Sequence, residues 1–106
     1  MEFLGKELKI VATRGVTALY GQIEMTMYIV EALKVLRKYP VDMLVFEMPD
    51  DNHFQIRIAG YDFVTGKLDE TTIAFTTPSL HIETFWFKID DQGDFYYGTF
   101  LLPSEY

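Results

Sequence analysis

Two histidines, His53 and His81, are the residues of this chain best suited to acid–base or metal chemistry, because imidazole titrates near neutral pH and ligates metals through a ring nitrogen. His81 and Glu83 stand two apart in a stretch that reads as strand. Both side chains then project from one face and can offer a nitrogen and a carboxylate to one ligand. A third metal ligand is not evident nearby, and the same pattern describes a polar pair on the wet face of a strand. His53 lies beside a turn, and nothing flanking it completes a nucleophile-and-base pair. Carboxylates gather at Asp50-Asp51 and at Asp90, Asp91 and Asp94. The run Asp90-Asp91-Gln92-Gly93-Asp94 is too short for a calcium loop and lacks its distal glutamate, so it reads as a hairpin turn.

Ser79 and Ser104 each adjoin a proline at an element boundary, the usual place for a turn-forming hydroxyl. No Gly-x-Ser-x-Gly, Gly-x-Gly-x-x-Gly or Gly-x-x-x-x-Gly-Lys run occurs, so nucleophile elbows and phosphate-cradling loops have no signature here. The sequence therefore assigns no catalytic residue, no cofactor and no metal. The absence of cysteine removes disulfides, thiolate nucleophiles and Cys-based zinc sites. A net charge of −7 argues against nucleic acid as a direct partner, since phosphate binding needs clustered Lys and Arg. Lys34, Arg37 and Lys38 do cluster, at the expected end of a helix where the macrodipole favours them.

The strongest local feature is aromatic: Phe85-Trp86-Phe87 followed by Phe95-Tyr96-Tyr97 and Phe100. If these two stretches form a hairpin, rings must occupy both faces, and only one face can meet a helix. Trp86 and Tyr96 are expected on the outward side, where such side chains anchor a partner or a second copy. The competing reading is a two-sided core.

The elements that position these residues follow from periodicity. Leu8 to Thr13 alternates as a strand, and a Pro-free stretch from about Thr17 to Tyr39 reads as one long helix, capped by Thr17 and ended by Tyr39-Pro40. Gly21 is its weak point. Met25, Tyr28, Ile29, Ala32, Leu33, Val35, Leu36 and Tyr39 share one face at the helical step. Ile23, Met27 and Val30 fall outside that face, which leaves more apolar helix than one sheet face covers. Strands are expected over Val41–Met48, Phe54–Ile58, Tyr61–Val64, Thr71–Thr76, Leu80–Ile89 and Phe95–Leu102, separated by Gly-, Asp- and Pro-rich turns.

The reading is one α+β domain over residues 1–106, with one long helix on a curled antiparallel sheet of about five to six strands in the order β-α-β-β-β-β-β. This order is similar to small folds in which a sheet wraps a helix, the cystatin-like and hot-dog groups among them. The likeness is one of topology and implies no activity. At 106 residues with 49% hydrophobic and 24% charged residues, the chain can bury roughly two-thirds of its unfolded surface and fold on packing alone. No apolar run approaches a membrane span, and no leader precedes the first strand, which points to the cytoplasm.

The function expected from these features is a non-enzymatic protein-binding or regulatory module, a homodimer, acting through Trp86, Tyr96 and the acidic turns. One version is an acidic inhibitor whose Asp50, Asp51, Asp90, Asp91 and Asp94 occupy the basic groove of a nucleic-acid-handling protein. The alternative is a small-ligand-binding domain or minor enzyme, with a pocket between helix and sheet that uses His81 and Glu83 and is lined by Met25 and Tyr28.

Overall fold

The computed structural model describes residues 1–50, 53–76 and 83–106. Among these residues seven strands form one sheet: β1 (Glu2–Phe3), β2 (Lys6–Ala12), β3 (Met43–Asp50), β4 (His53–Ile58), β5 (Thr72–Thr76), β6 (Phe85–Asp91) and β7 (Phe95–Leu101). Two helices, α1 (Arg14–Leu19) and α2 (Gln22–Lys38), connect β2 to β3, and a 3-10 turn over Pro103–Glu105 follows β7. The α+β class, with one long helix packed on a sheet, is the expected one. The spatial order is β1-β2-β7-β6-β3-β4-β5, and the sheet is open.

Five of the six pairings are antiparallel, and β2–β7 is parallel. The sheet is thus mixed rather than purely antiparallel. The helices carry the chain from the end of β2 across to the middle of the sheet, and the β6–β7 hairpin then fills the gap between β2 and β3. The short β1 pairs only with Glu7 and Lys6 of β2. Tyr61–Val64 forms no strand; isolated bridges join Val41 to Asp62 and Tyr61 to Leu68 instead. There the Asp62 side chain accepts from the backbone N–H groups of Val64 and Thr65, which curls the backbone into a turn. The expected strand Leu80–Ile89 is Phe85–Asp91 among the described residues.

The expected helix is two. Gly21 is extended and serves as the N-cap of α2, which settles the cost of a glycine in a helix interior by placing it at the boundary. Thr13, not Thr17, caps α1, its side chain accepting from the Val16 amide at 3.4 Å. The Thr17 hydroxyl instead donates back to the Thr13 carbonyl at 3.1 Å. Tyr39 N–H bonds the Val35 carbonyl at 2.8 Å, and Pro40 stops the helix.

Alternation along the strands creates two unequal faces. The inner face carries Leu8, Phe46, Phe54, Ile56, Phe85, Phe87, Tyr96 and Phe100, all buried against Tyr28, Ala32, Val35 and Leu36 of α2. Phe46 stacks on Phe85 with ring centroids 4.6 Å apart, and Phe87 on Phe100 at 4.4 Å. Gly98 permits the second stack, because a Cβ there would lie 2.5 Å from the Phe87 ring. Tyr28 packs edge-on against Phe46 and Tyr20.

Candidate protein-binding surfaces

The outer face is roofed over one row, while Val11 and Tyr97 stay exposed on it. Val45, Trp86 and Leu101 lie side by side across β3, β6 and β7, and the Tyr106 ring meets Trp86 edge-on at 5.5 Å. Val45 is 4% and Leu101 7% exposed, so the row is buried within a single chain, with Trp86 half-buried above it. The tail that carries Tyr106 is pinned by Glu105. Its carboxylate accepts from the Thr13 hydroxyl at 2.6 Å, the Leu102 amide at 2.8 Å and the Gly15 amide at 3.3 Å. These hydrogen bonds hold the carboxyl below the ordinary glutamate range, the one from Thr13 most strongly. The bond from Gly15 also satisfies an open amide at the start of α1.

Trp86 faces outward as expected, and Tyr96 does not. Tyr96 pairs with Leu8 of β2 and is buried on the inner face, against the rings of Phe3 at 5.1 Å and Phe63 at 5.2 Å. The Lys6 ammonium closes this cluster, 4.2 Å from the Tyr96 ring and 2.8 Å from Asp91 Oδ1. Lys6 also donates to the Gly93 carbonyl, and Asp91 accepts from the Gly93 amide, so one cation organises the β6–β7 turn. The shared hydrogen bond is the first cause of both shifts, with Asp91 lowered and Lys6 raised from their ordinary values.

Of the residues sought as partner contacts, Tyr96 is buried in the core, while Asp91 is held by Lys6 and stays exposed. Asp90 and Asp94 remain exposed on the same turn, Asp90 lying 4.0 Å from Lys88. Asp50 is exposed and its Oδ1 is 2.9 Å from His53 Nδ1, which makes an imidazole–carboxylate pair on the surface of the β3–β4 hairpin. Asp51 and His81 lie outside the described residues. Glu83 is exposed, and its backbone N–H and C=O both bond the Tyr20 hydroxyl, at 3.0 and 2.9 Å. Burial pushes Tyr20 up to about 12 and raises Tyr28 as well. Met25 and Tyr28 do not share a pocket, because Tyr28 is packed among rings in the core. No group of three His, Asp or Glu that could hold a metal occurs among the described residues.

One aligned apolar surface left open is on α2. Ile23, Met27 and Val30 point away from the sheet, 81%, 44% and 44% exposed. They follow one another at steps of four and three, which aligns them as one ridge along the helix. Lys34 extends the ridge by a further four residues and bonds Glu31 at 3.4 Å. A second opening lies at the sheet edge. Beyond the short β1, the C-terminal half of β2 borders a groove of about 490 Å³ lined by Ile10, Ala12, Tyr20, Met25, Ile29 and Phe100.

Comparison of the chain with protein-family models, with curated proteins and with solved structures finds no match in any of the three. Among the described residues no helix is long and apolar enough to cross a membrane. Sequence had flagged Ile23, Met27 and Val30 as surplus apolar residues, but nothing in it marked the β2 edge, since a strand's edge status depends on which strand lies beside it.

Proposed function

We propose that the protein is a non-enzymatic protein-binding module that pairs with a second copy of itself through the outer face of α2. The observation that carries this reading is the ridge of Ile23, Met27 and Val30, an apolar seam with coiled-coil spacing on a helix whose opposite face is already used by the core. A lone exposed leucine needs no explanation, whereas three aligned residues on one helix are what a partner helix covers. The 17 residues of α2 give a contact roughly 25 Å long. A cytoplasmic setting goes with the reading, because a chain without cysteine takes nothing from an oxidising compartment.

Sedimentation equilibrium across a concentration series tests it. The mass is expected to rise toward twice 12.4 kDa, and Met27→Lys is expected to hold the chain at the monomer mass with the melting temperature of the dilute wild-type chain, since Met27 is 44% exposed and outside the buried core. A wild-type chain that stays monomeric at the highest concentration refutes the reading.

A further inference from the structure

The α2 ridge constrains the direction in which a second copy lies on it. Ile23, Met27, Val30 and Lys34 follow at steps of four, three and four, the seam spacing of a coiled coil, and Arg37 continues the same line. All five are exposed. The seam is thus apolar at its start and cationic at its end. The flanking charges divide in the same way: Glu24 is the acidic residue in the first turn of α2, and Arg37 and Lys38 are the basic residues in its last.

Parallel helices would stack each seam residue on itself. Lys34 would then meet Lys34 and Arg37 meet Arg37, with Lys38 of both copies at the same end, and like charges repel. Antiparallel helices reverse the match. Met27 faces the second copy's Val30, and Ile23 faces its Lys34. The alkyl stem of that lysine covers the isoleucine, and its ammonium extends to Glu24, one residue further along. Within its own chain the Lys34 ammonium lies 3.4 Å from Glu31, so each lysine stands between its own Glu31 and the second copy's Glu24. The two macrodipoles also oppose each other, which is their favourable arrangement. The net charge of −7 does not forbid this contact. On the face itself Glu24 and Glu31 are balanced by Lys34, Arg37 and Lys38, and more distant charges act through a screening length of about 8 Å at physiological ionic strength.

We infer that two copies pair their α2 helices antiparallel, with Lys34 of each copy closing the apolar seam over Ile23 of the other and its ammonium beside that copy's Glu24. The inference rests on the α2 pairing proposed above and adds the residues by which each copy completes the other's seam. One helix alone supplies three apolar seam residues, and the lysine stem of the second copy extends the covered row past Ile23. Because the contacts between Lys34 and Glu24 lie at the rim, the pairing weakens as salt rises.

The chain has no cysteine, so introduced thiols report the alignment without background. Full chains carrying Ile23→Cys or Lys34→Cys are oxidised mildly, each alone and as a mixture, at a concentration where sedimentation shows the wild-type chain to be dimeric. The two positions lie roughly 16 Å apart along the helix, so in an antiparallel pair like positions are too distant for a disulfide and unlike positions are adjacent. The mixture is expected to give a cross-linked dimer, and neither chain alone. A charge exchange gives a second readout. Lys34→Glu is expected to weaken dimerisation about tenfold, since the two-fold axis counts each contact twice, and Glu24→Lys in the same chain to restore most of the loss. Glu24 and Lys34 are too far apart to meet within one helix, so a rescue comes from the second copy. The Glu24 carboxylate also accepts from the Gly21 amide at 3.2 Å; the thiol test stands should its loss unfold the variant. Self-cross-linking of the Ile23→Cys chain, no cross-link in any combination, or a folded charge-exchange chain without rescue overturns the antiparallel match and leaves the α2 pairing in place. A wild-type chain that stays monomeric at every concentration overturns the pairing and this inference with it.

Discussion

The two faces of the sheet use aromatic residues in opposite ways. On the inner face Phe46, Phe85, Phe87 and Phe100 are fully buried and stacked in a continuous cluster beneath α2. On the outer face one row, Val45, Trp86 and Leu101, is covered chiefly at Trp86 by a single ring from the C-terminal tail. The inner cluster is held by packing from every side and the outer row by a tail fixed through Glu105. Apolar area alone thus does not mark an interface; what matters is whether the chain's own segments reach it. Among the described residues they reach Trp86, and Ile23 stays 81% exposed.

Substitutions can break this contrast. Phe85→Ala empties the middle of the inner cluster and is expected to cost about 3–5 kcal/mol in chemical denaturation, the usual loss for a fully buried phenylalanine. Trp86→Ala removes a half-buried ring with only Tyr106 above it, and a loss of roughly 1–2 kcal/mol is expected. Equal losses would dissolve the distinction between the faces. Gly98→Ala tests the inner packing from the backbone side: a methyl pressed into the Phe87 ring is expected to cost about 1–3 kcal/mol, read as a lower denaturation midpoint at unchanged slope.

A smaller and opposite effect is expected at Tyr28. Its hydroxyl is buried without a hydrogen-bond partner, and desolvation holds its pKa above the ordinary tyrosine value. Tyr28→Phe removes the orphan and is expected to stabilise the fold by about 1 kcal/mol. Loss of stability instead would mean that the hydroxyl is satisfied.

The smallest effects are electrostatic. Glu105 and Asp91 have folded pKa values below their unfolded ones, so each contributes stability that is present above the ordinary carboxylate range and is lost as pH falls through the folded value. Lys6 is raised, so its contribution is present below the ordinary lysine value and is lost as pH rises past the folded one. Acid titration monitored by Trp86 emission, the chain's one tryptophan, is expected to show release of Tyr106 ahead of global unfolding, and Glu105→Gln to produce that change at neutral pH.

Local chemistry made much of the fold legible in the sequence. Alternation in Phe54–Ile58, the acidic turn at Asp90–Asp94, and the helical face from Met25 to Tyr39 all correspond to β4, the β6–β7 turn and α2. Even the surplus on Ile23, Met27 and Val30 could be read from spacing. What could not be read was non-local. The parallel pairing of β2 with β7 depends on two segments some ninety positions apart, and no periodicity encodes which strands become neighbours.

Tyr96 shows the consequence. With rings at both parities of Phe95–Leu101, hydrophobicity does not select the buried face. Gly98 does, because only the parity of Tyr96, Gly98 and Phe100 leaves room for Phe87. Lys6 and Asp91 then complete the cover over Tyr96 from opposite ends of the chain.

The proposal that a second copy covers the α2 ridge is tested most directly by methyl resonances of Ile23, Met27 and Val30 under a soluble paramagnetic agent at low and high protein concentration. Strong broadening of all three is expected in dilute protein, with selective protection of the same three as concentration rises, while the methyls of Leu4 and Val64, exposed elsewhere on the surface, broaden throughout. Equal broadening of the ridge at every concentration would contradict it.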